Sequence, residues 1–189
     1  MTNEIIRCPW CGTDAEYIKY HDEEWGKHTK DERTLFEFLV LESAQAGLSW
    51  LTILRKREGY KKLFAGFEAK EIANFTPQQI DQISQDPSIV RHRGKVAAAV
   101  QTAQVFLAIQ KEFGSFYNYL YSFMPDGKPI INALASLSEA PVTSPESDAI
   151  AKDLKKRGIK FFGSTICYAY MQAVGMVNDH LMACSFRGE

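Results

Sequence analysis

Cys8 and His21 lie near the start of this chain and His180 and Cys184 near its end, so one ion held by all four would force the two ends of a 189-residue chain to meet. No other feature restricts the fold as much. If Val177–Cys184 is helical, His180 and Cys184 leave the same face one turn apart, the geometry a tetrahedral zinc needs from a helix. Cys8 and His21 can supply the other half. Two thiolates and two imidazoles are ligands that zinc prefers, and four protein ligands leave no position open for a water, so such an ion would staple the ends rather than catalyse. Taken alone, the four residues also allow a second reading, as unrelated buried thiols and surface imidazoles.

At 189 residues, with 46% hydrophobic and 24% charged side chains, the chain reads as one domain over 1–189 with a substantial core. No basic, then apolar, then small-residue leader is visible, and no apolar run approaches the ~20 residues that span a bilayer. The expectation is a cytoplasmic monomer with no membrane partner. There, four cysteines are ligands or core thiols rather than disulfides. Cys167, inside Ile166-Cys167-Tyr168, reads as core. Cys8-Pro9-Trp10-Cys11 is a C-x-x-C with no βαβ pattern to support a redox role, which leaves Cys11 unassigned.

A formal charge of −1 argues against a blanket polyanion binder, yet the first fifty residues hold ten acids against five Lys or Arg. The basic residues cluster later, at Arg55-Lys56-Arg57 with Lys61-Lys62, at Arg91-His92-Arg93-Gly94-Lys95, and at Lys155-Lys156-Arg157 with Lys160. Each alone is an ordinary solvated helix surface. Gathered by the fold, they could form one phosphate-tracking face.

The hydrophobic pattern has helical period almost throughout. Asp31 caps a helix that buries a stripe of Leu35, Phe36, Leu39 and Val40 and runs to about Ser43, before Gly47 breaks it. Ser49 caps Trp50–Arg57, and short turns follow over Tyr60–Phe64 and Ala69–Phe75. Thr76-Pro77 opens a helix to about Ser84, stopped by Asp86-Pro87, and Gly94–Phe113 is a long one. Residues 124–129 and 136–147 read as loops. Ser144-Pro145 opens a helix to Lys156 that Gly158 ends, and the last helices cover about Ser164–Val174 and Val177–Ala183. No run alternates as a strand does, so the class is all-α.

Four segments carry a resemblance: Tyr20-His21-Asp22-Glu23-Glu24-Trp25-Gly26, Leu41-Glu42-Ser43-Ala44-Gln45-Ala46-Gly47-Leu48-Ser49-Trp50, Arg91-His92-Arg93-Gly94-Lys95 and Asn178-Asp179-His180. Together, in this order, the chain resembles the constitutive, type I 3-methyladenine DNA glycosylases of the helix-hairpin-helix superfamily. The resemblance implies an all-helical fold in which one structural zinc joins the terminal segments through Cys8, His21, His180 and Cys184. It implies a monofunctional enzyme of base excision repair that acts on alkylated double-stranded DNA and releases free 3-methyladenine.

Such an enzyme must swing the nucleotide out of the duplex and hold the base by stacking and by its polar edge. By resemblance, Glu42 is the catalytic carboxylate that reads the adenine edge, because an ionised acid accepts from the amine donors of a cationic base. By composition alone it would be an exposed glutamate. Trp10, Tyr17, Tyr20 and Trp50 are similar to the family's aromatic pocket residues, where a cationic purine gains ~0.5–2 kcal/mol against a ring face. Each by itself reads as core. Leu48 resembles the plug that fills the emptied stack, and otherwise reads as an inward loop leucine. The hairpin covers about 77–110, and the start of its second helix, with Arg91, Arg93, Gly94 and Lys95, is the expected phosphate grip.

The connection lacks the superfamily's Gly-x-Gly turn, and neither Asp126 nor Asp148 stands where a water-activating aspartate would. Methylation at N3 already makes the base a cation that departs as a neutral molecule, so the chemistry survives without one. No lysine occupies the nucleophile setting either, hence hydrolysis without strand cleavage. Two rival readings are a zinc deaminase, prompted by His21-Asp22-Glu23 but lacking a downstream Pro-Cys-x-x-Cys, and a zinc-stapled DNA-binding module without catalysis.

Overall fold

The computed structural model describes residues 5–188. Helix α1 spans Ala15–Glu23, and the Asp14 carboxylate caps it by accepting from the amides of Glu16 and Tyr17. Helix α2, Glu32–Gln45, is capped by Asp31 and buries Leu35, Phe36, Phe38, Leu39, Val40, Leu41, Glu42 and Ala44. More than one stripe is covered, because α2 is the central helix and has neighbours all round. The segment expected as one helix from Trp50 to Arg57 is two, α3 over Trp50–Leu54 and α4 over Arg57–Leu63. A four-residue α5, Ala69–Ile72, leads to the hairpin.

The hairpin joins α6, Pro77–Gln85, to α7, Arg93–Phe113. Thr76 and Gln79 form a reciprocal capping box on α6, with Pro77 at its first position, as the dipeptide foretells. His92 caps α7 by accepting the Lys95 amide at 3.1 Å. Helix α8, Phe116–Tyr121, follows at once, and its amides at Phe116 and Tyr117 are bound by the Glu32 carboxylate, at 2.8 and 2.9 Å, from the start of α2. Helices α9, Pro145–Arg157, and α10, Ser164–Ala173, complete the bundle. Helix α10 packs on α2 and α9, and α7 packs on α2, α5, α6 and α8 around one contiguous core.

The helix expected over Val177–Ala183 does not form. Val177–Asn178 is instead strand β2, paired in parallel with β1, Ile130–Ile131, in the register Ile130 to Val177. The residues beyond it turn rather than coil. Gly175 is what allows this: at φ +70° it passes so close to residues 27 and 28 that an added Cβ would lie 2.2 Å from the His28 amide nitrogen. No side chain fits there. This close approach sets the C-terminal segment against the loop after α1. Among the described residues, no helix is long and apolar enough to cross a membrane.

Candidate active site and metal centre

The chain ends do meet. The ligand atoms of Cys8, His21, His180 and Cys184 all lie within 4.8 Å of one another, and all four residues are buried. Cys184 Sγ is 3.6 Å from His21 Nε2 and 3.4 Å from His180 Nδ1, and Cys8 Sγ is 3.7 Å from the same Nδ1. A tetrahedral ion with ordinary zinc–sulfur and zinc–nitrogen bonds separates its S and N ligands by about 3.6 Å. The cluster therefore fits such an ion. The remaining ring nitrogens are also committed: His21 Nδ1 lies 2.7 Å from Asp22 Oδ1, and His180 Nε2 lies 3.0 Å from the Trp25 carbonyl oxygen. These partners fix each tautomer, leaving the other nitrogen free to bind a metal ion.

His180 and Cys184 reach the cluster from a turn, so the expected helical spacing is corrected, and the four residues come together in a group that could hold a metal ion. Cys11 is outside it, since its thiol donates to the Cys8 carbonyl at 3.2 Å. Glu23 of the H-x-E triplet is exposed and does not face the cluster. Gly26, at φ +77°, has the His180 ring against it, 3.0 Å from where a Cβ would sit.

Beside the cluster lies a cavity of about 210 Å³ lined by Trp10, Tyr17, Tyr20, Trp25, Glu42, Gln45, Trp50, Leu137, Ala140, Ala169, Gln172 and Asp179. Its aromatic wall is interlocked, with Trp10 5.0 Å from Tyr17 and 4.8 Å from Trp25, and Tyr20 5.4 Å from Trp50, between ring centroids. All five sequence-derived pocket residues, Trp10, Tyr17, Tyr20, Glu42 and Trp50, thus share one cavity. Trp10 also packs edge-on against His21 at 5.3 Å, which ties the wall to the metal cluster. Sequence reasoning does not assign Trp25, Gln45, Gln172 or Asp179 to the pocket. Trp25 lies inside a quoted motif, and its indole against the His180 ring at 4.6 Å explains its place there.

Glu42 is 2% exposed, and its Oε2 has no hydrogen-bond partner. The indole N–H groups of Trp10 and Trp50 are likewise buried without partners. Burial pushes the Glu42 carboxyl up from an ordinary 4.5 to about 8. Three unpaired polar groups in one apolar cavity are costly unless something arrives to satisfy them. What they fit is a flat, apolar-faced molecule with hydrogen-bonding groups on its edges.

Leu48, 41% exposed, stands on the tight turn between α2 and α3, where Gly47 takes φ +81°. The turn is flanked by cavity residues Gln45 and Trp50. On the hairpin, the Lys95 and Val96 amides are bonded to His92, which leaves those of Arg93 and Gly94 at the helix start. Arg91, Arg93 and Gly94 are exposed.

The basic side chains are less free than the sequence suggests. Lys95 turns inward, its ammonium donating to the carbonyls of Ala44 and Ala46 at 2.8 and 2.7 Å, so it closes the end of α2. Arg93 pairs with Asp81. Arg55 pairs with Asp14, Lys56 donates to the Pro87 carbonyl, Arg57 spans Glu24 and Glu37, and Arg157 spans Glu112 and Asp153. Half of the lysines and arginines in the three clusters are thus engaged with other parts of the chain, so the clusters are not one continuous phosphate face.

An aromatic cavity with an unpaired carboxylate, on a helical bundle with a hairpin, is the architecture of a helix-hairpin-helix DNA glycosylase. A family model described as methyladenine glycosylase matches residues 10–188, and the chain belongs to that family. It is 46% identical over 178 residues to a DNA-3-methyladenine glycosylase of Haemophilus influenzae, covering 94% of this chain and 96% of that one. A crystal structure of a 3-methyladenine DNA glycosylase I is 47% identical with a TM-score of 0.92, covering 95% and 98% of the two chains. Another, a variant in complex with 3-methyladenine, is 37% identical with a TM-score of 0.93, covering 97% of this chain and 98% of that one.

Proposed function

We propose that this chain, as one catalytic domain, flips 3-methyladenine out of alkylated duplex DNA and hydrolyses its N-glycosidic bond without cutting the strand. The observation that carries the reading is the unpartnered Glu42 carboxyl in a cavity walled by Trp10, Tyr17, Tyr20, Trp25 and Trp50. With the cavity empty, burial keeps Glu42 largely protonated at neutral pH. A cationic base beside it favours the ionised form, so binding expels the proton and forms a desolvated ion pair. Normal adenine carries no charge to drive that exchange. The aromatic faces hold the cation from both sides, and the two free indole N–H groups can donate to ring nitrogens.

Bond cleavage then rests on the leaving group. The C1′–N9 bond breaks with its electron pair moving to the base, which leaves neutral, while water adds to C1′ and loses a proton. Leu48 fills the emptied stack, and the Arg93 and Gly94 amides with the Arg91 side chain hold a phosphate. Zinc is the metal that suits Cys8, His21, His180 and Cys184; with four protein ligands it would supply folding energy and no chemistry. The test is single-turnover incubation with a duplex carrying one 3-methyladenine. Free base should be released, with the strand intact until alkali is added. Release of no base, or strand scission without alkali, would refute the reading.

A further inference from the structure

We infer that Gln172, held in one orientation by Asp179, is a second reader of the base edge and sets the preference for adenine over guanine. Asp179 is 2% exposed and lines the same cavity as Glu42. Its Oδ1 accepts from Asn132 at 2.7 Å, and its Oδ2 accepts from the Tyr168 hydroxyl at 2.8 Å and from Gln172 Nε2 at 2.7 Å. A carboxylate with these partners is an acceptor, so it dictates which end of the Gln172 amide faces it. The NH₂ end is bound to Asp179. One N–H is spent there, and the carbonyl Oε1 accepts no hydrogen bond among the described residues, on a side chain that also lines the cavity.

The consequence lies in the donor and acceptor pattern of the two purines. At position 6 an adenine carries an amine with two hydrogens to donate, whereas a guanine carries a carbonyl oxygen. Glu42 and Gln172 Oε1 both accept, so each suits the amine and each opposes the carbonyl. Glu42 also answers the positive charge, which both N3-methylated purines share. Gln172 is neutral and answers only the hydrogen-bond pattern, so it contributes to discrimination without contributing to charge recognition. Without Asp179 the amide could turn over and offer its NH₂, the donor that a guanine oxygen wants.

This inference rests on the proposal that the cavity takes 3-methyladenine, and one experiment separates the two. Single-turnover excision is measured on otherwise identical duplexes carrying 3-methyladenine or 3-methylguanine. Failure of the wild-type protein to excise 3-methyladenine overturns the function; the Gln172 reading is judged by the ratio of the two rates in variants. Gln172→Leu should lower the ratio by about tenfold, the worth of one hydrogen bond in a desolvated site, chiefly by slowing the adenine substrate. Asp179→Asn, whose own amide lets Gln172 turn over, should shift the ratio the same way, with metal content measured because His180 is adjacent. Equal losses on both substrates in Gln172→Leu, or an unchanged ratio in a variant that retains its metal and its melting temperature, would overturn the inference.

Discussion

Replacing Glu42 by Gln should make the protein more stable, and increasingly so as the pH rises. Folding places a carboxyl where it has no partner for Oε2 and raises its pKa from 4.5 to about 8. The folded state therefore binds the proton more tightly than the unfolded chain does. Stability falls as pH rises through the window from 4.5 to about 8, and above it the loss is complete. At about 1.4 kcal/mol per pKa unit this amounts to about 5 kcal/mol, a large share of the ~5–15 kcal/mol that holds a domain together. The amide introduced by Glu42→Gln does not titrate, so its own burial cost is the same at every pH and cancels when only the pH dependence is compared. Urea unfolding of both proteins at about pH 5 and about pH 9 measures the difference directly, and titration of the metal ligands, common to both, drops out. The gap between variant and wild type should widen by several kcal/mol. Parallel stability curves would show that Glu42 is ionised at little cost, and the account of proton release on binding a cationic base would fail with it. The variant should lose 3-methyladenine excision while gaining stability, as expected where a binding site keeps an unsatisfied group.

Two other outcomes test the supports of the site. Elemental analysis should find one zinc per chain, retained in Cys11→Ser and lost in His180→Ala together with a fall in melting temperature; loss in Cys11→Ser with retention in Cys8→Ser would overturn the ligand set. Lys95→Met should cost about 1–2 kcal/mol by uncovering the carbonyls of Ala44 and Ala46, and should barely change the salt dependence of DNA binding, whereas Arg91→Ala should flatten that slope by about one unit. Salt-dependent binding titrations of the two variants decide whether the division between brace and phosphate contact holds.

The long helices are legible because their ends are written locally. Asp31, Thr76-Pro77, Ser144-Pro145 and Gly158 all act as the caps and stops their chemistry suggests. Helix α1 escapes a reading by pattern because its buried residues are Tyr20 and His21, held by the cavity and the metal cluster rather than by an aliphatic stripe. Helix α8 has six residues and takes its amide partners from Glu32, far away in sequence. The Val177–Ala183 pattern looks helical until β1 pairs with β2, a non-local event. Of the site, the four Cys and His residues are suggested by their donor chemistry and spacing, while the five pocket residues are readable only as motifs. The pairing of Gln172 with Asp179 is invisible, since nothing in a sequence says which amide a buried carboxylate will grip. Lys95 shows the converse error, because a lysine in a basic run gives no sign that it turns inward.

Closure of the two ends also places the enzyme in time. Cys8 lies next to His180 across 172 residues of sequence, and closing a loop of that length costs much chain entropy. A ribosome adding roughly 5–20 residues per second delivers Trp10, Tyr17 and Tyr20 about 8 to 30 seconds before His180. Until His180 and Cys184 emerge, the aromatic wall has its side chains but neither a complete Cys/His cluster nor the His180 ring behind it. A nascent or prematurely terminated chain thus carries every aromatic of the pocket and still presents no formed site to DNA.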